Sequence, residues 1–155
     1  MPFQIGALSK SQFEHLLPMS VQELVQYGAI RQTVTKKPGF PCRVSLADAE
    51  IGEEVLLVHY EHQTAPTPFR ASHAVFIRPG APQARPAPNE VPELLRSRIL
   101  SLRAFDRAGM MVHADLAEGQ ELEAAIERIF AIPEVDYLHL HYAKPGCYAA
   151  RADRI

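Results

Sequence analysis

Residues 135–153 read VDYLHLHYAKPGCYAARAD. Two extended segments, VDYLHLHYA and CYAARAD, flank a Lys-Pro-Gly turn, which is the pattern of an antiparallel hairpin. Successive side chains of a strand point to opposite faces. Tyr137, His139, His141 and Ala143 therefore share one face, and Asp136, Leu138, Leu140 and Tyr142 the other. The leucines belong in a core, so both imidazoles are expected to face solvent or a cleft. The position of Cys147 depends on the turn. A two-residue Pro145-Gly146 turn pairs Lys144 with Cys147 and sends the thiol to the leucine face. A three-residue Lys144-Pro145-Gly146 loop pairs Ala143 with Cys147. The thiol then lies diagonal to His141, at roughly 7 Å between carbons. Glycine at the end, where a left-handed residue fits, favours the three-residue form.

Just upstream lies the strongest helical pattern. In EGQELEAAIERIF, Leu122, Ala125, Ile126, Ile129 and Phe130 recur at helical spacing, predicting one main amphipathic helix over about 119–131 that Pro133 closes. Most other segments are extended. EVLLVHY is apolar on both faces at its centre, as a strand covered on two sides would be. HAVFIR, ILSLRAFD, MMVHADL and AIRQTV add strands, and CRVS is a short candidate. EHQTAPTPFRAS reads as a long polar loop of the kind that builds sites. Short helices are expected near the N-terminus. Ser20 and Glu23 have capping-box spacing, and Gly28 suits the left-handed stop. EVPELLRSR is a further short helix.

Strands in hairpin-like groups with one packed helix predict an α+β fold with a mainly antiparallel or mixed sheet. A chain of 155 residues is expected to form a single domain over 1–155. The five prolines of residues 79–92 mark a surface connection, because proline cannot donate to a sheet.

With 47% hydrophobic and 22% charged residues, a net charge of −2 and a pI near 6.4, the composition is that of a soluble globular protein. No basic face is visible, so nucleic-acid binding is not expected. No apolar run approaches a membrane span. MPFQIGALSKSQFEHLL lacks the basic and apolar regions of a signal peptide. With two cysteines, this gives a cytoplasmic expectation with both thiols free.

The stretches KPGFPCRVSLADAEIGEEVLL, YEHQ, PFRAS, ILSLRAFDRAGMMV and HLHYAKPGCYAARADR together resemble a family of short bacterial proteins catalogued only as a domain of unknown function. The resemblance runs from about Phe3 to Arg154. It implies a single-domain bacterial protein and carries over no activity. The chain departs from the family's pattern near His73, where glycine is expected, and at Tyr142, where another residue is expected.

Function is therefore read from the residues. Arg43, Tyr60, His62, Arg70, His139 and His141 would form a pocket for a small polar or anionic ligand near the C-terminal hairpin, since guanidinium groups grip carboxylate or phosphate with forked geometry. They do so if the PGFPC turn, the YEHQ segment and the hairpin converge. Their alternative role is to pair with local acids. In an enzyme reading, Cys147 or Cys42 is the nucleophile, with His139 or His141 as base; Arg43 would activate a nearby thiol. In a metal reading, His139, His141 and Cys147 would ligate zinc. The sequence requires no cofactor, since it holds neither CxxC nor HExxH. A buried role for the cysteines and a hydrogen-bonded role for the histidines compete with both readings. His113 and Asp115 share a strand face with no nucleophile near. Phosphate-binding and serine-hydrolase motifs are absent. The third class is an interaction module that forms a homodimer through an exposed strand edge such as the hairpin.

Overall fold

The computed structural model describes residues 2–155. In chain order the elements are β1 (Phe3–Gly6), α1 (Val21–Gln26), β2 (Ala29–Thr33), β3 (Glu54–Gln63), β4 (Ala71–Ile77) and α2 (Glu93–Arg96). Then follow β5 (Ile99–Phe105), β6 (Met111–Glu118), α3 (Leu122–Phe130), β7 (Tyr137–Tyr142) and β8 (Tyr148–Arg154). Among the described residues, the strands form two sheets, β1-β8-β7-β5-β6 and β2-β3-β4, with every strand pairing antiparallel. The α+β expectation holds.

The local signals explain much of this. Ser20 Oγ accepts from the Glu23 amide at 3.2 Å, and the Glu23 carboxylate accepts from the Ser20 amide at 3.2 Å, completing the capping box of α1. Gly28 follows with φ +64°. The periodic apolar residues of α3 are all buried. They pack with Leu100, Leu102, Leu138 and Leu140 into the main core, on one face of the five-stranded sheet. Arg154 closes the layer: its guanidinium donates to the carbonyls of Ile132 and Val135, just beyond α3, and lies over the Phe130 ring.

The proline-rich connection carries neither helix nor strand. It runs beside β1, exchanging bonds between Phe3 and Asn89 at 2.9 and 3.0 Å, and so screens that sheet edge. Two expectations are corrected. CRVS is not a strand; Pro41 and Cys42 make isolated bridges to Asp48 and Phe76, and the chain then turns. The C-terminal hairpin offers no free edge, because β8 pairs with both β1 and β7.

Candidate functional site

The alternation of β7 holds. Leu138, Leu140 and Tyr142 enter the helix-covered core. The opposite side does not meet solvent: the three-stranded sheet lies against it, leaving His139 3% and His141 0% exposed. His62 and His73 complete a cluster from that second sheet. His62 sits where β3 bulges between Glu61 and Gln63, and His73 lies on β4 opposite Tyr60. A bulge re-aims the side chain it carries. Ring centroids are 4.8 Å apart for His62–His73, 4.9 Å for His62–His141, 5.3 Å for His73–His141 and 5.7 Å for His62–His139. Tyr148 stacks on His62 at 5.2 Å. It reaches this face through a second irregularity. Leu140 pairs with Ala150 but His141 pairs with Tyr148, so Ala149 is an extra residue in β8. Tyr148 therefore joins the histidines, while Ala149, Ala150 and Ala152 all enter the helix-covered core.

Accounting for the ring nitrogens defines the chemistry. His141 Nδ1 lies 2.9 Å from the Gly146 carbonyl. A carbonyl only accepts, so Nδ1 carries the proton and Nε2 is left with a bare lone pair. That Nε2 is buried with no hydrogen-bond partner, as are Nδ1 of His62 and Nδ1 of His139. His62 Nε2 and His73 Nδ1 share one hydrogen bond at 2.7 Å. One ring nitrogen each from His62, His73 and His141 lie within 4.8 Å of one another. Burial, more than any neighbouring charge, holds these rings neutral: His62 is lowered to about 4 and His139 and His141 to about 3, and His73 is lowered too. The positive charge of Arg103 pushes all four the same way. Neutral imidazoles with unfilled lone pairs are what a transition metal binds.

A family model described as "Protein of unknown function (DUF1203)" matches residues 39–154. The chain belongs to the DUF1203 family. No curated protein and no solved structure matches it. The DUF1203 segment contains all four histidines of the cluster. Two strands of the fold, β1 and β2, come from residues before it.

Within this DUF1203 chain the Pro-Gly bend before Cys42 and the C-terminal hairpin do converge, through Arg43. Its buried guanidinium donates to the carbonyls of Tyr148 at 2.7 Å and Pro41 at 2.5 Å, and to Cys147 Sγ at 3.0 Å. It also lies 5.0 Å from the Tyr142 ring centroid. All three of its nitrogens are thus engaged in clamping the two segments together. The hairpin turn takes neither sequence-derived form. Residues 143–146 make a four-residue loop closed by the Gly146 amide on the Tyr142 carbonyl, and the Tyr142 amide donates to the Cys147 carbonyl. Cys147 therefore stands opposite Tyr142 and packs against the main core, on the side away from the histidines.

Cys42 is fully buried, its sulfur accepting from the amides of Ser45 and Arg78 at 3.3 and 3.2 Å. Both thiols are free. Tyr60 shares a side with His62, and its hydroxyl accepts from Gln12 at 3.4 Å. Arg70 stays at the surface, paired with Glu61 at 3.1 Å. An open cleft of about 330 Å³ adjoins the cluster, lined by Tyr60, His62, His139, Tyr148, Arg151 and Asp153 among others. The structure thus gathers Tyr60, His62, His139 and His141, sets Arg43 behind them, and leaves Arg70 outside.

His73 is the member that sequence reasoning passed over. Its one signal was parity: it shares a strand face with Val75 and Ile77, both buried.

Proposed function

We propose that this protein is a metal-binding domain in which His62, His73 and His141 hold a zinc-like divalent ion. The observation that carries this reading is the bare, buried Nε2 of His141 beside the facing nitrogens of the other two rings. An unpartnered polar atom at such a place costs about 1–3 kcal/mol, and a metal would satisfy it. The Gly146 carbonyl already fixes the tautomer that points Nε2 inward, as second-sphere partners of metal-bound histidines do. In a tetrahedral shell with bonds of about 2.0–2.1 Å, neighbouring nitrogens stand about 3.3 Å apart. Binding would therefore spread His62 and His73 from 2.7 Å and send the proton between them to the outer nitrogen of the donor ring.

Three protein ligands leave a fourth position open, the arrangement of catalytic rather than structural zinc. When bound there, such an ion would supply Lewis-acid activation of a water for hydration or hydrolysis. The free thiols of Cys42 and Cys147 suit a reducing bacterial cytoplasm, where we place the protein.

Cobalt(II) titration of the full chain tests the reading, because cobalt reports its coordination in visible absorption. Uptake of about one ion per chain is expected, with thermal stabilisation of about 2.7 kcal/mol at a free ion concentration 100-fold above Kd. His141→Leu and His73→Asn, both checked for native circular dichroism, should each lose it. Uptake unchanged in both folded variants, or none by the wild type, overturns the proposal.

A further inference from the structure

Of the twelve arginines in the chain, Arg103 is the half-buried one whose guanidinium meets neither an acid nor a carbonyl among the described residues. Arg85 and Arg107 also lack such a partner, but both are exposed. Arg103 lies on β5 directly opposite His139, and Ser101 lies opposite His141, all on the histidine face. Arg103 Nε donates to Ser101 Oγ at 3.4 Å, so the side chain runs along β5 toward the strand position beside His141. Its two terminal nitrogens have no partner among the described residues. A half-buried guanidinium with one long hydrogen bond to a hydroxyl and no acid or carbonyl partner is unusual, because a buried charge is ordinarily paired.

The charge balance points the same way. The nearby charged groups are already matched in pairs, Glu61 with Arg70 and Arg151 with Asp153. Arg103 is not matched, and its burial lowers its own pKa. Three neutral imidazoles, a divalent ion and this guanidinium would sum to +3 with no resident anion.

Access is open on that side. Opposite Ser101 on β6 is Leu116, which is 64% exposed, and opposite Arg103 is Ala114, also exposed. The second sheet thus lies over the histidines of β7 and leaves β6 bare.

We propose that the site takes a small oxyanion, one oxygen on the open position of the ion and another on the Arg103 guanidinium. This rests on the metal reading above. A planar fork of donors beside a cation matches carboxylate and phosphate alike, so the shared chemistry is the paired oxygens. Approach is from the β5–β6 side, past Leu116, and not through the cleft beside Tyr148.

The test uses the full chain loaded with cobalt(II), titrated in parallel with acetate, inorganic phosphate and chloride while its visible spectrum is followed. Acetate or phosphate should perturb the spectrum saturably, chloride at most weakly, and whichever oxyanion acts at the lower concentration assigns the class. In Arg103→Met, cobalt uptake should persist at about one ion per chain, no weaker than in the wild type, and oxyanion binding should be about 10–100-fold weaker, the loss of one charge-assisted pair. Arg103→Lys should restore part of it. Cobalt uptake with no oxyanion response, or an equal response in Arg103→Met, overturns this inference and leaves the metal reading standing. Failure of the wild type to take up cobalt removes both.

Discussion

The two faces of β7 are equally shut off from water and are built on opposite rules. Leu138 and Leu140 on one side are 0% exposed, while His139 and His141 on the other are 3% and 0% exposed. The leucines meet α3 and the neighbouring strands in an apolar layer, where burying each such side chain contributes about 1.5–3 kcal/mol. The histidines meet other aromatic rings and leave ring nitrogens without partners. One face holds the fold together; the other is held in place by it. The contrast teaches that burial alone does not distinguish a core from a site. What distinguishes them is the chemistry of the buried atoms: the leucines bring none that needs a partner, and the imidazoles gather several bare ring nitrogens in one place.

The sharpest way to break this comparison is to damage the helix-covered face. Leu140→Ala should cost about 2–5 kcal/mol in urea unfolding, with cobalt uptake per folded chain unchanged. A loss of uptake would mean that the two faces are not separable.

Acid acts on the other face. The folded pKa values of His139 and His141 lie near 3, below the ordinary 6.5, so the unfolded chain takes up protons first. Stability should be fully present above pH 6.5 and fall as pH drops from there toward 3, by about 1.4 kcal/mol per pH unit for each ring. Unfolding measured from pH 7 to 4 checks this. Leu140→Ala should keep the slope, and His141→Leu should reduce it.

The smallest effect is the most telling. His141→Leu replaces a bare lone pair with carbon but also gives up the bond to the Gly146 carbonyl, so the two effects largely offset and stability at pH 7 should change by about 1 kcal/mol, while metal uptake disappears. A loss as large as that of Leu140→Ala would show that the histidine face also carries the fold.

Much of the fold was legible because its signals are local. The spacing of Leu122, Ala125, Ile126, Ile129 and Phe130 marked α3, Ser20 and Glu23 marked the start of α1, and the alternation of residues 136–142 sorted leucines from histidines. The site was legible only in part. His139, His141 and Tyr60 were named from their strands, and His62 from a segment read as the start of a polar loop, although β3 runs on through Gln63. The four-residue turn that carries Cys147 away from the histidines, the bulge that aims His62 and the closeness of His73 all depend on how distant strands pair. No short window of sequence contains that information. Arg43 and Arg70 were chosen for their charge, but charge does not reveal whether a guanidinium's donors are already engaged. In Arg103 the terminal pair is not, and that is a fact about its neighbours.

The extra residue in β8 carries a consequence of its own. A regular strand would force Tyr148 and Ala150 to the same side; here Ala149 shifts the frame, so aromatic and alanine each reach the layer that fits them. Removing that single residue would restore the unbroken beat and oblige the segment to choose, turning either the tyrosine into the helical layer or the alanines toward the imidazoles. Chain length in residues 148–150 is thus fixed as tightly as any side chain in the molecule.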